Sequence, residues 1–291
     1  MRLNFTHIIF LFFILWMGIS ACEKEITVNL PEGTKSLVVE ASINQLQPNL
    51  NYVFLTRTLD YFNPDVSLFG VSNALVYITP GKVIGKDTTF DTIQRVQLVD
   101  ITTLPIVSQY LNGFSGIYFN PTLAPVVGTP YLLEIFSGNE KVRGITTIPK
   151  VIEIDTLFYS QEIHKKDTNM YVTFEFTDGP EQNNYRFFRY KSSNSLLIGW
   201  GSADNSRLFD DQLVNNVKRP YSFLNPFKYS DTLNLYLTSI GRTEYLFWKS
   251  YGEAARNGGP FSTPVQVSSN IQGAIGSFTG YGVSYRRVIL R

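Results

Sequence analysis

The side chains able to do chemistry are few. The sequence holds one cysteine, Cys22, and two histidines, His7 and His164. Cys22 and His7 fall in or beside an apolar N-terminal segment, so any Ser-His-Asp arrangement in the remainder would have to be built on His164. That residue stands in Glu162-Ile163-His164-Lys165-Lys166-Asp167, a charged stretch expected to be a solvated loop between strands. The pair Asp210-Asp211 could offer metal ligands or half of a glycosidase acid pair. Adjacent residues point in different directions, however, and acid catalysis of that kind needs two carboxyls about 5–10 Å apart across a cleft. Asp210 as the cap of a short helix beginning near Gln212 is the simpler expectation. Asp178-Gly179-Pro180-Glu181-Gln182-Asn183-Asn184 is oxygen-rich enough to hold calcium, but it lacks the alternation of an EF-hand loop and has the composition of an ordinary turn. The glycines at Gly273–Gly276 and Gly280–Gly282 lack the Lys-Ser/Thr ending and following helix of a phosphate loop. Beside strands, such glycines mark bulges or close backbone approach. No cofactor and no metal is expected.

A different chemistry, stacking, is open to the aromatics Trp200, Tyr221, Phe223, Phe227 and Tyr229. They fall in segments that read as loops, where exposed rings can stack on sugars or anchor a protein interface. The opposing expectation is that these loops fold back and cover a sheet edge.

The elements that must hold these residues read as strands. Tyr, Phe, Thr, Val and Ile are frequent, and period-two segments recur between turn signals. The clearest are Leu37–Ile43, Tyr52–Leu59, Ala74–Thr79, Arg95–Asp100, Tyr131–Phe136, Lys141–Ile148, Ile152–Tyr159, Met170–Thr177, Tyr185–Lys191, Thr232–Ile240 and Tyr281–Leu290. Gly138-Asn139 marks a hairpin, and Thr79-Pro80-Gly81 reads as a connection. One segment differs. Arg242–Arg256 (RTEYLFWKSYGEAAR) spaces Tyr245, Phe247, Trp248 and Tyr251 three and four apart and ends at Asn257-Gly258-Gly259-Pro260, which predicts an amphipathic helix packed on a sheet. A shorter helix is possible near Asp210–Val217.

The N-terminus carries a further signal. Arg2 precedes an apolar run from Ile8 to Ile19 that is shorter than the roughly 20 residues needed to span a bilayer. The run closes on Ile19-Ser20-Ala21-Cys22, small residues directly before a cysteine. This is the lipobox pattern, in which the thiol accepts a diacylglycerol and the segment before it is removed. The expected arrangement is therefore a lipoprotein signal peptide over 1–21 and a lipid anchor and tether over 22–34. An immunoglobulin-like β-sandwich follows over 35–149. A β-rich domain over 150–291, either a second sandwich or an incomplete barrel, completes the all-β chain. Several acyl chains on Cys22 anchor stably where one would not. Removing Arg2 with the signal leaves basic and acidic residues balanced, which argues against nucleic-acid binding by charge.

The order of short motifs resembles a family of Bacteroidota-type outer-membrane lipoproteins, the domain-of-unknown-function family 4249. The resemblance rests on Cys22-Glu23-Lys24 followed by Leu37-Val38-Val39-Glu40-Ala41, and on Leu55-Thr56-Arg57-Thr58 with Asp60-Tyr61-Phe62. It continues through Phe176-Thr177-Asp178 with Asn184-Tyr185-Arg186 and through Asp210-Asp211-Gln212-Leu213. Its most specific part is Pro260-Phe261-Ser262-Thr263-Pro264-Val265 leading to Ser269-Asn270-Ile271 and Gly273–Phe278. The chain departs from the pattern at Gly199–Leu208. The resemblance implies surface exposure, with Glu23-Lys24-Glu25 as an export signal. It further implies association with a TonB-dependent outer-membrane receptor, and it supplies no catalytic residues. The expected function is a non-enzymatic binding or accessory lipoprotein; the alternative is a carboxylate-only surface hydrolase of glycans or peptides.

Overall fold

Strict alternation builds the first strands. In β1 (Leu37–Asn44) the side chains of Leu37, Val39, Ala41 and Ile43 are buried in one core, as the two-residue period of a pleated strand requires. In the computed structural model the residues described are 35–59, 69–104, 115–164, 167–180, 184–191, 206–210, 216–224, 226–257, 263 and 265–291. The expected signal segment and tether, Cys22 among them, lie outside the described residues.

The chain continues through β2 (Tyr52–Arg57), β3 (Leu75–Ile84), β4 (Asp87–Phe90), β5 (Val96–Asp100), β6 (Ile117–Phe119), β7 (Pro130–Ser137) and β8 (Glu140–Thr147). β2 lies antiparallel to β1, and β6 antiparallel to β2. β5 joins two layers. Its residues Val96–Leu98 pair with β3, while Val99 and Asp100 pair with β6. β3, β7 and β8 complete the second layer, and the faces of both layers meet in a core holding Val53, Leu55, Val76, Ile78, Leu133, Ile135 and Val142. Thr79-Pro80-Gly81, expected as a connection, lies inside β3. The strand changes partner there, from β7 through Pro80 to β4 from Gly81. This is a position where a residue without an N–H is tolerated.

Beyond Pro149-Lys150 come β9 (Ile154–His164), β10 (Asp167–Thr177), β11 (Asn184–Lys191), β12 (Ser206–Asp210), β13 (Lys218–Ser222), β14 (Phe227–Lys228) and β15 (Thr232–Ile240). α1 (Arg242–Arg256), β16 (Ile271–Gln272) and β17 (Ile275–Ile289) follow. A four-stranded sheet has β10 at its centre, with β9 on one side and β13 and β14 on the other. It faces the strands β12-β11-β15-β17 across a second core of Ile154, Val172, Phe174, Phe176, Tyr185, Leu233, Leu235 and Leu237.

β17 binds the two halves together. Its first residues run parallel to β1, Ile275 opposite Val38 through Tyr281 opposite Asn44. From Gly282 onward it runs antiparallel to β15. Even-numbered residues face the cores: Phe278 the first, Val288 the second. Odd-numbered Tyr281, Val283 and Tyr285 face α1. Between the two cores the inward positions are Gly280 and Gly282. A Cβ there would lie 2.8 Å from the Thr147 carbonyl oxygen and 2.4 Å from that of Pro149. The absent side chains let the β8–β9 connection cross the sheet. Ile271 and Phe278, from beyond the boundary expected at 149/150, belong to the first core. Lys35–Arg291 forms one compact unit.

The helix packs as its spacing predicts. Tyr245, Phe247 and Trp248 are buried with Tyr52, Tyr236, Ile240 and Tyr281. Glu244 in its first turn is buried too, and accepts from Thr146 Oγ1 at 2.8 Å. Among the described residues the fold is all-β with one α-helix.

Candidate functional site

Two short edge strands shape a recess in the second layered half. β12 pairs with β11 alone, and β13 with β10 alone, so the two strands close the same side of the second layered half. Alternation turns Leu208 toward the α1 cluster and Phe209 toward the facing sheet. On β13, Arg219 and Tyr221 are half-buried, while Lys218, Pro220 and Ser222 are exposed. The result is a cleft of about 410 Å³ lined by Phe176, Phe209, Val217, Lys218, Arg219, Pro220 and Tyr221. This lies within the roughly 300–1,000 Å³ typical of small-ligand sites.

Its floor is a chain of rings. Tyr185 packs between Phe176 and Phe209 at centroid distances of 5.4 and 6.3 Å, and Phe174 lies 5.3 Å from Tyr221. Aromatic pairs at such separations hold each other's orientation beyond simple burial. The Tyr185 hydroxyl donates to Asp178 Oδ1. Asp178 is only 3% exposed, and its Oδ2 has no hydrogen-bond partner. The Asp178 N–H donates to the Val217 carbonyl at 3.2 Å, which ties the start of the 178–184 turn to the cleft wall.

Cations bridge the two strands. The Arg219 guanidinium lies 4.4 Å from the centre of the Phe209 ring. Arg207 donates to the Tyr221 hydroxyl at 2.7 Å. Lys218 pairs with Glu175 at 2.7 Å, and that hydrogen bond holds the ammonium above its ordinary value. No carboxylate or histidine is among the described residues lining the cleft.

Of the aromatics singled out from the sequence, Tyr221 lines this cleft. Tyr229 is 53% exposed and is not among the lining residues. Phe223 and Phe227 are corrected from contact residues to core residues. They are 9% and 2% exposed, with ring centroids 5.5 Å apart in the second core. The segment carrying them folds back against β10, where Phe227 pairs opposite Met170, because the four-stranded sheet needs apolar cover on its inner face. Trp200 lies outside the described residues, as do Asp211 and residues 181–183 of the candidate calcium turn.

Asp210 ends β12 and accepts from Arg242 at 3.0 Å, at the start of α1, while the short helix expected from near Gln212 begins outside the described residues. His164 ends β9 and pairs across the hairpin with Asp167. Among the described residues no three His, Cys, Asp or Glu side chains gather in a way that could hold a metal ion. The sequence reading missed Arg207, Phe209 and Arg219. The available signal was the basic–aromatic alternation of Arg207-Leu208-Phe209 and of Arg219-Pro220-Tyr221.

An all-β chain of two layered halves sharing one strand, with an aromatic and cationic recess at a sheet edge, is the class that these features define. Over residues 23–287 the chain matches the family described as Domain of unknown function (DUF4249), and it belongs to that family. No curated protein matches it.

Proposed function

We propose that this is a non-enzymatic lipoprotein of the cell envelope. It is held in the outer membrane through lipid on Cys22, faces the cell surface, and binds in support of a TonB-dependent outer-membrane receptor. In this reading the first layered half is an immunoglobulin-like spacer and the second carries the recognition site. The observation that carries the proposal is the cleft between β12 and β13, where rings and guanidinium groups are pre-positioned by two sheets and α1. Rigid scaffolds presenting a preformed, largely apolar recess with a few polar groups are what binding proteins share. Support for the anchor comes from the sequence: the apolar run, the small residues before Cys22, and a family match that begins at Glu23.

The test has two parts. Fatty-acid labelling of the intact chain should be lost in Cys22→Ala, and continued labelling would refute the anchor. Tyr221→Ala and Phe209→Ala should weaken co-purification with an outer-membrane receptor from detergent-solubilised membranes. Capture that both variants leave unchanged, with the fold intact, would refute the cleft as the recognition site. Turnover of a glycan or peptide by the purified chain would replace the binding reading with a hydrolytic one.

A further inference from the structure

We infer that the cleft takes a small anionic ligand with a flat apolar body, its oxyanion held by Arg219 and Arg207 and its body against Phe176, Val217 and Pro220. This rests on the cleft being the recognition site, and it adds the ligand's chemical class. The inference starts from where charge is left over. The ion pairs of the described residues are Arg57–Glu140, Lys141–Glu134, Arg143–Glu134, Lys218–Glu175 and Arg242–Asp210. Arg207 and Arg219 belong to none of them.

Their positions explain how they stay available. Stacking on Phe209 occupies the face of the Arg219 guanidinium, and a stacked guanidinium keeps its in-plane N–H donors on its edge. Arg207 directs one donor to the Tyr221 hydroxyl, out of the five a guanidinium carries. Among the described residues the acids nearby are already engaged or covered. Glu175 is bound by Lys218, Asp155 accepts from Thr177 at 2.7 Å, Asp210 is bound by Arg242, and Asp178 is buried beneath Tyr185. The described lining is therefore cationic, on a chain whose overall charge is +1.

That chemistry selects among ligands. A neutral sugar is held by acceptors as well as by a stacking face, and the described lining supplies no carboxylate or side-chain amide. A forked guanidinium matches a carboxylate or phosphate in geometry and charge. The ring wall and about 410 Å³ of space suit a body of one or two fused rings.

The experiment uses the full chain in lipid nanodiscs, with empty nanodiscs as blank, and titrates three matched probes by calorimetry. These are 2-naphthoate, 2-naphthyl phosphate and the neutral 2-naphthalenemethanol. At least one anion should bind roughly tenfold or more tightly than the alcohol, since a charge-assisted hydrogen bond is lost with the charge. Which anion leads identifies the oxyanion. Arg219→Gln and Arg207→Gln should each erase most of that preference, lowering the affinity for the anion far more than that for the alcohol. Raising the salt should weaken the anion alone, a readout that needs no variant.

Equal binding of all three probes, abolished by Phe209→Ala, would overturn the ligand class and leave the cleft as a recognition site. The same holds if the arginine variants keep the preference. Absence of binding by every probe would also overturn the inference; if receptor capture were then insensitive to Tyr221→Ala, the reading of the cleft would fall with it.

Discussion

Phe278→Ala tests whether β17 makes one cooperative unit of the two layered halves. Phe278 is fully buried in the first core, pairs opposite Ala41, and has its backbone held on both sides by Asn270, each bond 2.9 Å. Truncating a buried phenylalanine removes its transfer free energy and leaves a cavity, together about 3–5 kcal/mol. Gly144, whose added Cβ would lie 3.2 Å from that of Phe278, is backbone in a paired strand and cannot move in to fill the space. The upper part of the range therefore applies. For a body of this size each kcal/mol shifts the thermal midpoint by roughly 2 °C, so a fall of about 8–10 °C is expected. Because the same strand continues into the second half, paired with β15 from Gly282 onward, the whole loss should appear in both halves. Scanning calorimetry should give one peak, moved as a whole. Hydrogen exchange should then show β10 and β15 losing protection together with β3 and β7. Two peaks with only one displaced, or unchanged protection in β10 and β15, would refute the coupling.

Gly282→Ala should destabilise by about 1–3 kcal/mol, since its Cβ would meet the Pro149 carbonyl at 2.4 Å, whereas Gly252→Ala in α1 meets nothing closer than 3.8 Å and should stabilise by about 0.5–1 kcal/mol; urea melts of the pair give opposite signs if the crossing is as described. Phe227→Ala should lower stability by about 3–5 kcal/mol as a core truncation, and a variant with an unchanged melt would restore it as a surface residue. Alkaline pH should destabilise the fold. Burial pushes the hydroxyls of Tyr118, Tyr131 and Tyr236 above the ordinary tyrosine value, so the unfolded chain releases these protons first and the folded state binds more. Their contribution is complete below about pH 10, where unfolded tyrosine titrates, and is lost as pH rises through the higher folded values. Urea midpoints between pH 9 and 11 should fall, and less steeply in Tyr118→Phe.

What the sequence disclosed depended on length and on who supplies the pattern. β1, β10 and β15 are long enough for alternation to be visible, and each was readable with its inward residues. α1 was readable for the same reason at a different period, since Tyr245, Phe247 and Trp248 repeat on one face before Asn257-Gly258-Gly259-Pro260. β12, β13 and β14 have five, five and two residues, too few to carry a period, and they become strands only because β10 and β11 present edges to them. The first half of β17 was hidden by its own glycines. In sequence they read as bulges or close backbone approaches beside a strand; in the fold Gly280 and Gly282 lie within the strand, and the β8–β9 connection passes over them. The site divided in the same way. Tyr221 could be named as a candidate ring, but Phe223 and Phe227 have identical local credentials and differ only in which way a distant sheet turns them.

The cleft also explains why so short a strand can serve as a wall. Left alone, a five-residue edge would fray, because its outer backbone groups are unpaired. Three successive side chains of β12 are fixed from three directions. Leu208 packs into the α1 cluster, Phe209 stacks on Tyr185 and under Arg219, and Asp210 holds Arg242 at the first turn of the helix. The helix in turn sits on Tyr281 and Val283 of the shared strand. The position of Phe209 is thus set by contacts that run back to the strand joining both halves, so the recess is held by the central sheet rather than by the segment that forms its rim.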